Sequence, residues 1–445
     1  MTAGAVTDLQ QSRAVLQHAK LNILDELYLH LDRSDEPFSV HMEVQVDGRV
    51  DADRLRAAIA EAVGRHPIAR ARLRDSRPTD RRYHWEVREE LEEVPLEELD
   101  GGATAERERL QSMSLPLDEA PPFAASLVHD PDGDWVMINL KHAAGDGMSA
   151  VRLMGSILRA YGGEDDPVPD VDPLEVRDIQ GIAGAESIGE RIGRIRALVE
   201  HVARFTTPPT RIAPEGGSDE IPGYGFELLR FDPDEAAKVM ELKRDGATAN
   251  DVLLGALAVT IRRWNEEHDQ GSARIALMMP VNLRPKEWRF DVVGNYASYV
   301  TVHIPEDKQD DLPTAIAAAA ESTTRIKEDG IAGLIVDLLE FPTVLPTAIK
   351  QRLEQLIPLT GNLVVDTAVL SNLGKLDALP RLDDEAGDVK AIWFSPPGRM
   401  PLGASFGVAT MNDALFVTLR YRHALFDADG AARFAGLYRG ILLGE

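Results

Sequence analysis

The chain has 445 residues, 44% of them hydrophobic and 27% charged, with 48 lysines and arginines against 74 aspartates and glutamates and a formal charge of −26. That length exceeds one ordinary core and predicts two lobes, while the acidic balance excludes nucleic acid as a partner, because phosphate binding needs a net basic face. The absence of cysteine excludes disulfides, cysteine-based metal sites and a cysteinyl covalent intermediate.

Residues 1–16 lack a basic stretch followed by an apolar run, so no secretory signal is expected. Residues 20–34 predict a short helix with a mixed apolar face. Val40, Met42, Val44 and Val46 alternate with His41, Glu43 and Gln45, the period of a half-buried strand. After the turn at Asp47-Gly48, Asp51 caps a helix whose inner face is Leu55, Ile59, Ala62 and Val63, ended by His66-Pro67. Residues 68–90 predict further strand with a polar turn at 75–80, and a loop and helix fill 91–114. Strand 123–128 turns at Asp130-Pro131-Asp132-Gly133 into strand 135–140. A helix follows from Gly147, with Val151, Met154, Leu158 and Tyr161 on one face.

Residues 162–185 are rich in Gly, Pro and Asp and mark a boundary. The division expected is an N-terminal lobe over 1–180, a crossover with a helix near 188–203 over 181–221, and a C-terminal lobe over 222–445. In the second lobe, strands are predicted at 226–231, 275–279, 298–304, 364–370, 392–394, 404–409 and 414–421. Helices are predicted after Asp232, at 252–264, 312–327, 331–357 and 428–442. The most apolar stretch, 331–345, is broken by Asp337, Glu340 and Pro342, so no membrane span is expected. A cytoplasmic location is the expectation.

Between strand 135–140 and the helix at Gly147 lies Lys141-His142-Ala143-Ala144-Gly145-Asp146-Gly147. His142 is the residue there that exchanges a proton near neutral pH without an unusual shift. The glycines and alanines leave room for another molecule to come close. Taken alone, His-x-x-x-Asp is also the pattern of a satisfied buried histidine followed by an N-capping aspartate. The pattern recurs as His423-Ala424-Leu425-Phe426-Asp427, a weak internal repeat. There Leu425 and Phe426 fill the middle with bulk, so that copy is expected to be inert.

With these residues the chain resembles the coenzyme A-dependent acyltransferase superfamily. That superfamily includes chloramphenicol acetyltransferase, the condensation domains of nonribosomal peptide synthetases, wax ester synthases and polyketide-associated acyltransferases. Its signature His-His-x-x-x-Asp-Gly is matched by Lys141 to Gly147, with Lys141 in place of the first histidine. Further similar stretches are Asp47-Gly48-Arg49-Val50-Asp51 with Arg65-His66-Pro67, Thr248-Ala249-Asn250-Asp251, Val281-Asn282-Leu283-Arg284-Pro285, Gly294-Asn295-Tyr296 and Ser371-Asn372-Leu373-Gly374. The single-unit length is most similar to freestanding condensation-like and polyketide-associated acyltransferases.

The resemblance implies an α/β fold of mixed-sheet two-layer sandwiches, built as two chloramphenicol-acetyltransferase-like lobes in a V with a central tunnel. It implies His142 as general base, the backbone near Gly147 as oxyanion donor, and Asp146 as a structural residue paired with Arg284. Lys141, Asn295, Ser371 and Asn372 are expected to line the tunnel. No permanently bound cofactor and no metal are expected. Acyl-CoA or a phosphopantetheinyl thioester is the co-substrate, and the partners are a small-molecule acceptor and an acyl or peptidyl carrier protein. A monomer is expected. The overall charge gives no steering toward anionic coenzyme A, which needs a local basic patch; Arg262-Arg263 and Arg284/Lys286 are candidates, though scattered arginines are more often a solvated face. Ser149 as a nucleophile lacks a partner base. Transfer of the acyl group to a hydroxyl of a secondary-metabolite or lipid acceptor, giving an ester, is the expectation, with amide formation and a non-catalytic carrier-binding module as alternatives; Lys141 favours the last, and His142, Asp146, Gly147 and Arg284 together oppose it.

Overall fold

The computed structural model describes residues 15–167, 170–203, 208–244, 246–340, 345–353, 365–377 and 379–445. The first half runs β1 (Val15–Lys20), α1 (Ile23–Leu31), β2 (Ser39–Val46), α2 (Ala52–Arg65), β3 (Ala71–Leu73), β4 (His84–Arg88), β5 (Leu96–Asp100), α3 (Ala103–Ser112), β6 (Phe123–His129), β7 (Trp135–Lys141) and α4 (Gly147–Gly162). Two helices, α5 (Ile179–Ala183) and α6 (Ile188–Ala203), lie in the crossover. The second half runs β8 (Tyr224–Phe231), α7 (Pro233–Glu241), α8 (Ala249–Glu267), β9 (Ile275–Asn282), β10 (Ala297–Ile304), α9 (Leu312–Glu328), α10 (Ile331–Glu340), α11 (Thr347–Leu353), β11 (Ala368–Lys375), β12 (Val389–Ser395), β13 (Ala404–Met411), β14 (Ala414–Arg422) and α12 (Ala428–Leu443).

These strands make two large mixed sheets and a small antiparallel one. The first large sheet has the order β12-β2-β7-β6-β5, antiparallel except for the β5–β6 pair. The second has the order β10-β9-β11-β13-β14-β8, in which β11 is parallel to both neighbours. The small sheet is β1-β4-β3. β12, from residues 389–395, pairs with β2 from Ser395↔His41 to Val389↔Val46. Its sheet therefore lies in the first half, across the expected boundary at 222.

β2 departs from the half-buried strand expected. Its apolar face, Met42 and Val44, enters the first core, and its polar face is covered as well. Glu43 is fully buried and accepts from Arg107 Nε of α3 at 2.7 and 2.9 Å, with His41 Nε2 at 3.0 Å. Burial opposes the Glu43 charge, but the Arg107 guanidinium and His41 outweigh it and hold the carboxyl below its ordinary range. Other boundaries shift too. The helix expected over 331–357 is two helices, α10 and α11, and its residues 341–344 and 354–357 lie outside the described residues. β11 starts at Ala368 rather than 364 and continues through Ser371–Gly374, which puts those residues on a strand.

The internal repeat is structural. β7 leads to α4 and β14 leads to α12 through the same kind of turn, and each helix is capped by the repeated aspartate. Asp146 accepts from Ser149 N at 3.0 Å, and Asp427 from Gly430 N at 2.8 Å. No helix among the described residues is long and apolar enough to cross a membrane.

Candidate functional site

α4 opens where β7 ends, and its first turn fixes the site. The Asp146 side chain takes the Ser149 N–H and its carbonyl takes the Ala150 N–H at 3.0 Å. The N–H groups of Gly147 and Met148 are left without an acceptor among the described residues, as at any helix start. Gly147 cannot be larger without cost. A Cβ there would meet Leu373 Cδ2 at 2.8 Å and Phe394 Cζ at 2.9 Å, so the Leu373 and Phe394 side chains pack into the space this glycine leaves at the helix start.

Asp146 is held by Arg284 and by backbone donors. Arg284, just after β9, binds it through both guanidinium nitrogens, Nη1 to Oδ2 and Nη2 to Oδ1, each at 2.8 Å. Tyr296 N donates to Oδ2 at 2.9 Å. Both side chains are essentially without exposure. Burial works against the Asp146 charge, and the Arg284 guanidinium more than offsets it, holding the carboxyl below its ordinary range. Ser149 belongs to this network. Its Oγ lies 3.0 Å from Asp146 Oδ1, accepts from Arg284 Nη2 at 3.0 Å and donates to the Gly294 carbonyl at 2.7 Å, which leaves no hydroxyl free for attack.

His142 lies against two aromatic rings. Its ring stacks on Tyr28 of α1 at 3.8 Å between centroids and on Phe38 at 5.4 Å. His142 N also donates to the Phe38 carbonyl at 3.0 Å. The residue is 8% exposed and its Nδ1 is buried. Burial lowers the imidazole below its ordinary value, against smaller opposing contributions that include Asp146. At neutral pH the ring is therefore neutral and can accept a proton.

His142 lines a cavity of about 320 Å³ whose walls come from both halves of the chain. Tyr28, Phe38, Val40, Asp146, Gly147 and Met148 line it from the first half. Met278, Pro280, Asn282, Arg284, Ser371 and Asn372 are among those that line it from the second. Ser371 and Asn372 lie on the second-half wall. Asn372 donates to Asn250 Oδ1 at 2.7 Å, which joins two of the family-like stretches.

Two expected lining residues do not reach the cavity. Asn295 is fully buried and turned toward the backbone of the His142 loop. Its Nδ2 donates to the His142 carbonyl at 2.7 Å, the Ala143 carbonyl at 3.0 Å and Asp25 Oδ1 at 3.0 Å. Lys141 is 1% exposed and pairs with Asp32 at 2.6 Å. Asp32 accepts in turn from Phe38 N at 2.8 Å, so the lysine ties the end of β7 to the loop that carries one of the rings on His142. Lys141→Ala is expected to cost about 3 kcal/mol in urea unfolding, at the low end for breaking a buried pair because Asp32 is 17% exposed and can be hydrated.

Several site residues gave little signal in the sequence. Asp25 accepts from Asn295, from Trp85 Nε1 at 3.2 Å and from Arg177, and so anchors α1 against the segment just before α5. In sequence Asp25 is one carboxylate on a short amphipathic helix, and Arg177 is one charge in a boundary segment. Tyr28 was visible only as part of the apolar face of α1. The look-alike His423 packs edge-on against Tyr421 and lies outside the cavity, and Phe426 beside it is buried against Trp264 and Phe434.

The condensation-domain family model matches residues 27–178, the segment that holds α1, His142 and Asp146. That segment, about a third of the chain, is similar to condensation domains. The chain is 38% identical over 432 residues to the uncharacterized protein Rv2305 of Mycobacterium tuberculosis (strain ATCC 25618 / H37Rv), covering 96% of this chain and 99% of that protein. It is 26% identical over 328 residues to the probable non-canonical nonribosomal peptide synthetase CymA of Salinispora arenicola (strain CNS-205), covering 68% of this chain and 4% of that one. Its fold is that of the first condensation domain of the calcium-dependent antibiotic synthetase in complex with a substrate analogue. The TM-score is 0.69 at 13% identity, over 96% of this chain and 97% of that domain. The chain has the mixed α/β architecture the resemblance implied, with mixed sheets that match those of condensation-domain structures.

Proposed function

We propose that the chain transfers an acyl group from a coenzyme A or carrier-protein thioester to the hydroxyl of a small-molecule acceptor, forming an ester. The observation that carries this reading is His142, a neutral imidazole on the wall of a cavity built from both halves, with its loop fixed by the Asp146–Arg284 pair.

The acceptor oxygen attacks the thioester carbonyl while His142 takes its proton. Nε2 is the receiving nitrogen, because Nδ1 is buried. The tetrahedral oxyanion is met by the unpaired N–H groups of Gly147 and Met148 and by the positive end of α4. Collapse breaks the carbon–sulfur bond, and the imidazolium returns the proton to the leaving thiolate. No acyl-enzyme forms, in keeping with a chain that has no cysteine and whose Ser149 is fully engaged.

The test is a matrix of acyl-coenzyme A and acyl-carrier donors against alcohols and amines, with products resolved by mass. Ester products from alcohols support the reading. Amide products alone replace it with a condensation enzyme that takes amines, and donor binding without any product replaces it with a carrier-binding module.

The pH dependence follows from the sign of the His142 shift. The neutral ring is the active form, and its pKa lies below the ordinary 6.5. The rate is therefore expected to be flat through neutral pH and to fall on an acid limb centred below 6.5. A limb centred above 6.5 contradicts the assignment.

A further inference from the structure

The cavity has a second polar end, remote from His142. Ala297, whose carbonyl accepts from Tyr28 Oη at 2.7 Å, and Thr301 both line it. They are four residues apart on β10, about 13 Å at the rise of a strand. At the Thr301 end sits Asp366, 5% exposed and also lining the cavity. Thr301 Oγ1 donates to Asp366 Oδ2 at 3.2 Å, and Oδ1 has no hydrogen-bond partner among the described residues. The Tyr299 hydroxyl, on the same wall, has none either. Met278, Pro280, Val365 and Val369 give the walls an apolar part, beside the polar Ser298, Ser371 and Asn372.

The nearby guanidiniums do not fill this gap. Arg211 donates to the backbone carbonyls of Val365, at 3.0 Å, and Asp366, and Arg274 contacts His303 Nδ1 at 3.1 Å; neither arginine lines the cavity. Burial pushes the Asp366 carboxyl up to about 7, against Thr301 and the two arginines, which pull it down. A buried carboxyl with an open acceptor is costly to leave unpaired.

We infer that this end of the cavity is a recognition subsite for a substrate chain that terminates in a hydrogen-bond donor, a hydroxyl or an ammonium, with Asp366 as the acceptor and Tyr299 and Thr301 beside it. The inference deepens the acyl-transfer reading by naming the substrate's far end. A site built to pair a polar group rejects the analogue that lacks it, because its own polar atoms are then left unpaired.

The test is calorimetric binding of acyl-coenzyme A thioesters and primary alcohols of one medium chain length, each ending in methyl, hydroxyl, ammonium or carboxylate. The wild-type protein, Asp366→Asn and Asp366→Leu are compared. The hydroxyl or ammonium ligand is expected to bind the wild-type protein at least about 10-fold more tightly than the methyl one. Asp366→Leu removes that preference. Asp366→Asn separates the two donors, since it keeps a hydroxyl ligand and loses an ammonium one. The proposal is overturned if the methyl or carboxylate ligand binds as tightly as the donors, if no member of the series binds, or if Asp366→Leu retains the preference. The wild-type series decides the matter even where a variant folds poorly. End-group preference without thiol release overturns acyl transfer and leaves the subsite standing, and thiol release without end-group preference does the reverse.

Discussion

His142→Ala is expected to slow acyl transfer by at least about 100-fold, the usual contribution of a general base, while donor binding stays within a few-fold of wild type. The split follows from the geometry. The imidazole contributes one wall of a cavity with many lining residues, so its loss costs little ground-state contact. What disappears is the group that takes the acceptor's proton, an interaction made only on the way to the transition state. The acid limb of the pH profile is expected to vanish with it. Persistence of the rate, or of that limb, removes His142 from the chemistry.

Asp146→Ala is expected to destabilise the fold by about 3–5 kcal/mol, the cost of breaking a buried ion pair from one side. It strands the Arg284 guanidinium, whose side chain has no exposure, and it also removes the cap on Ser149 N and the acceptor of Tyr296 N. Arg284→Met is expected to cost less, because the Asp146 carboxylate keeps its N–H donors. The double variant Asp146→Ala/Arg284→Met is expected to be more stable than the sum of the single changes, which a double-mutant cycle in urea measures directly. Full additivity refutes the pairing. The pH sign is fixed as well: the Asp146 pKa is depressed in the fold, so the pair's contribution is present above the ordinary carboxylate pKa and is lost as pH falls through the depressed one.

How far the sequence reached depends on the residue. The Asp146–Arg284 pair spans 138 positions and no spacing predicts it; it was legible only because both residues sit in stretches that resemble one family. The cap at Asp146 and the helix after it were legible from local chemistry alone. Asn295 and Lys141 show the limit of motif reading. A motif places a residue beside a site but does not say which way its side chain points, and both turn inward to brace the His142 loop. The covered polar face of β2 and the return of β12 to the first sheet were hidden for a related reason. Strand periodicity looks the same whichever sheet receives it, and a buried Glu43 reads as a solvent-facing one until Arg107 is placed against it.

The measurement that bears most directly on the account is intact mass of the protein combined with thiol release, followed while donor and acceptor are supplied separately and together. Direct attack predicts that free thiol accumulates only when both are present and that the mass of the protein never rises by an acyl group. Thiol release that needs no acceptor and leaves an acylated protein, or the absence of both donor binding and thiol release across all donors, contradicts it.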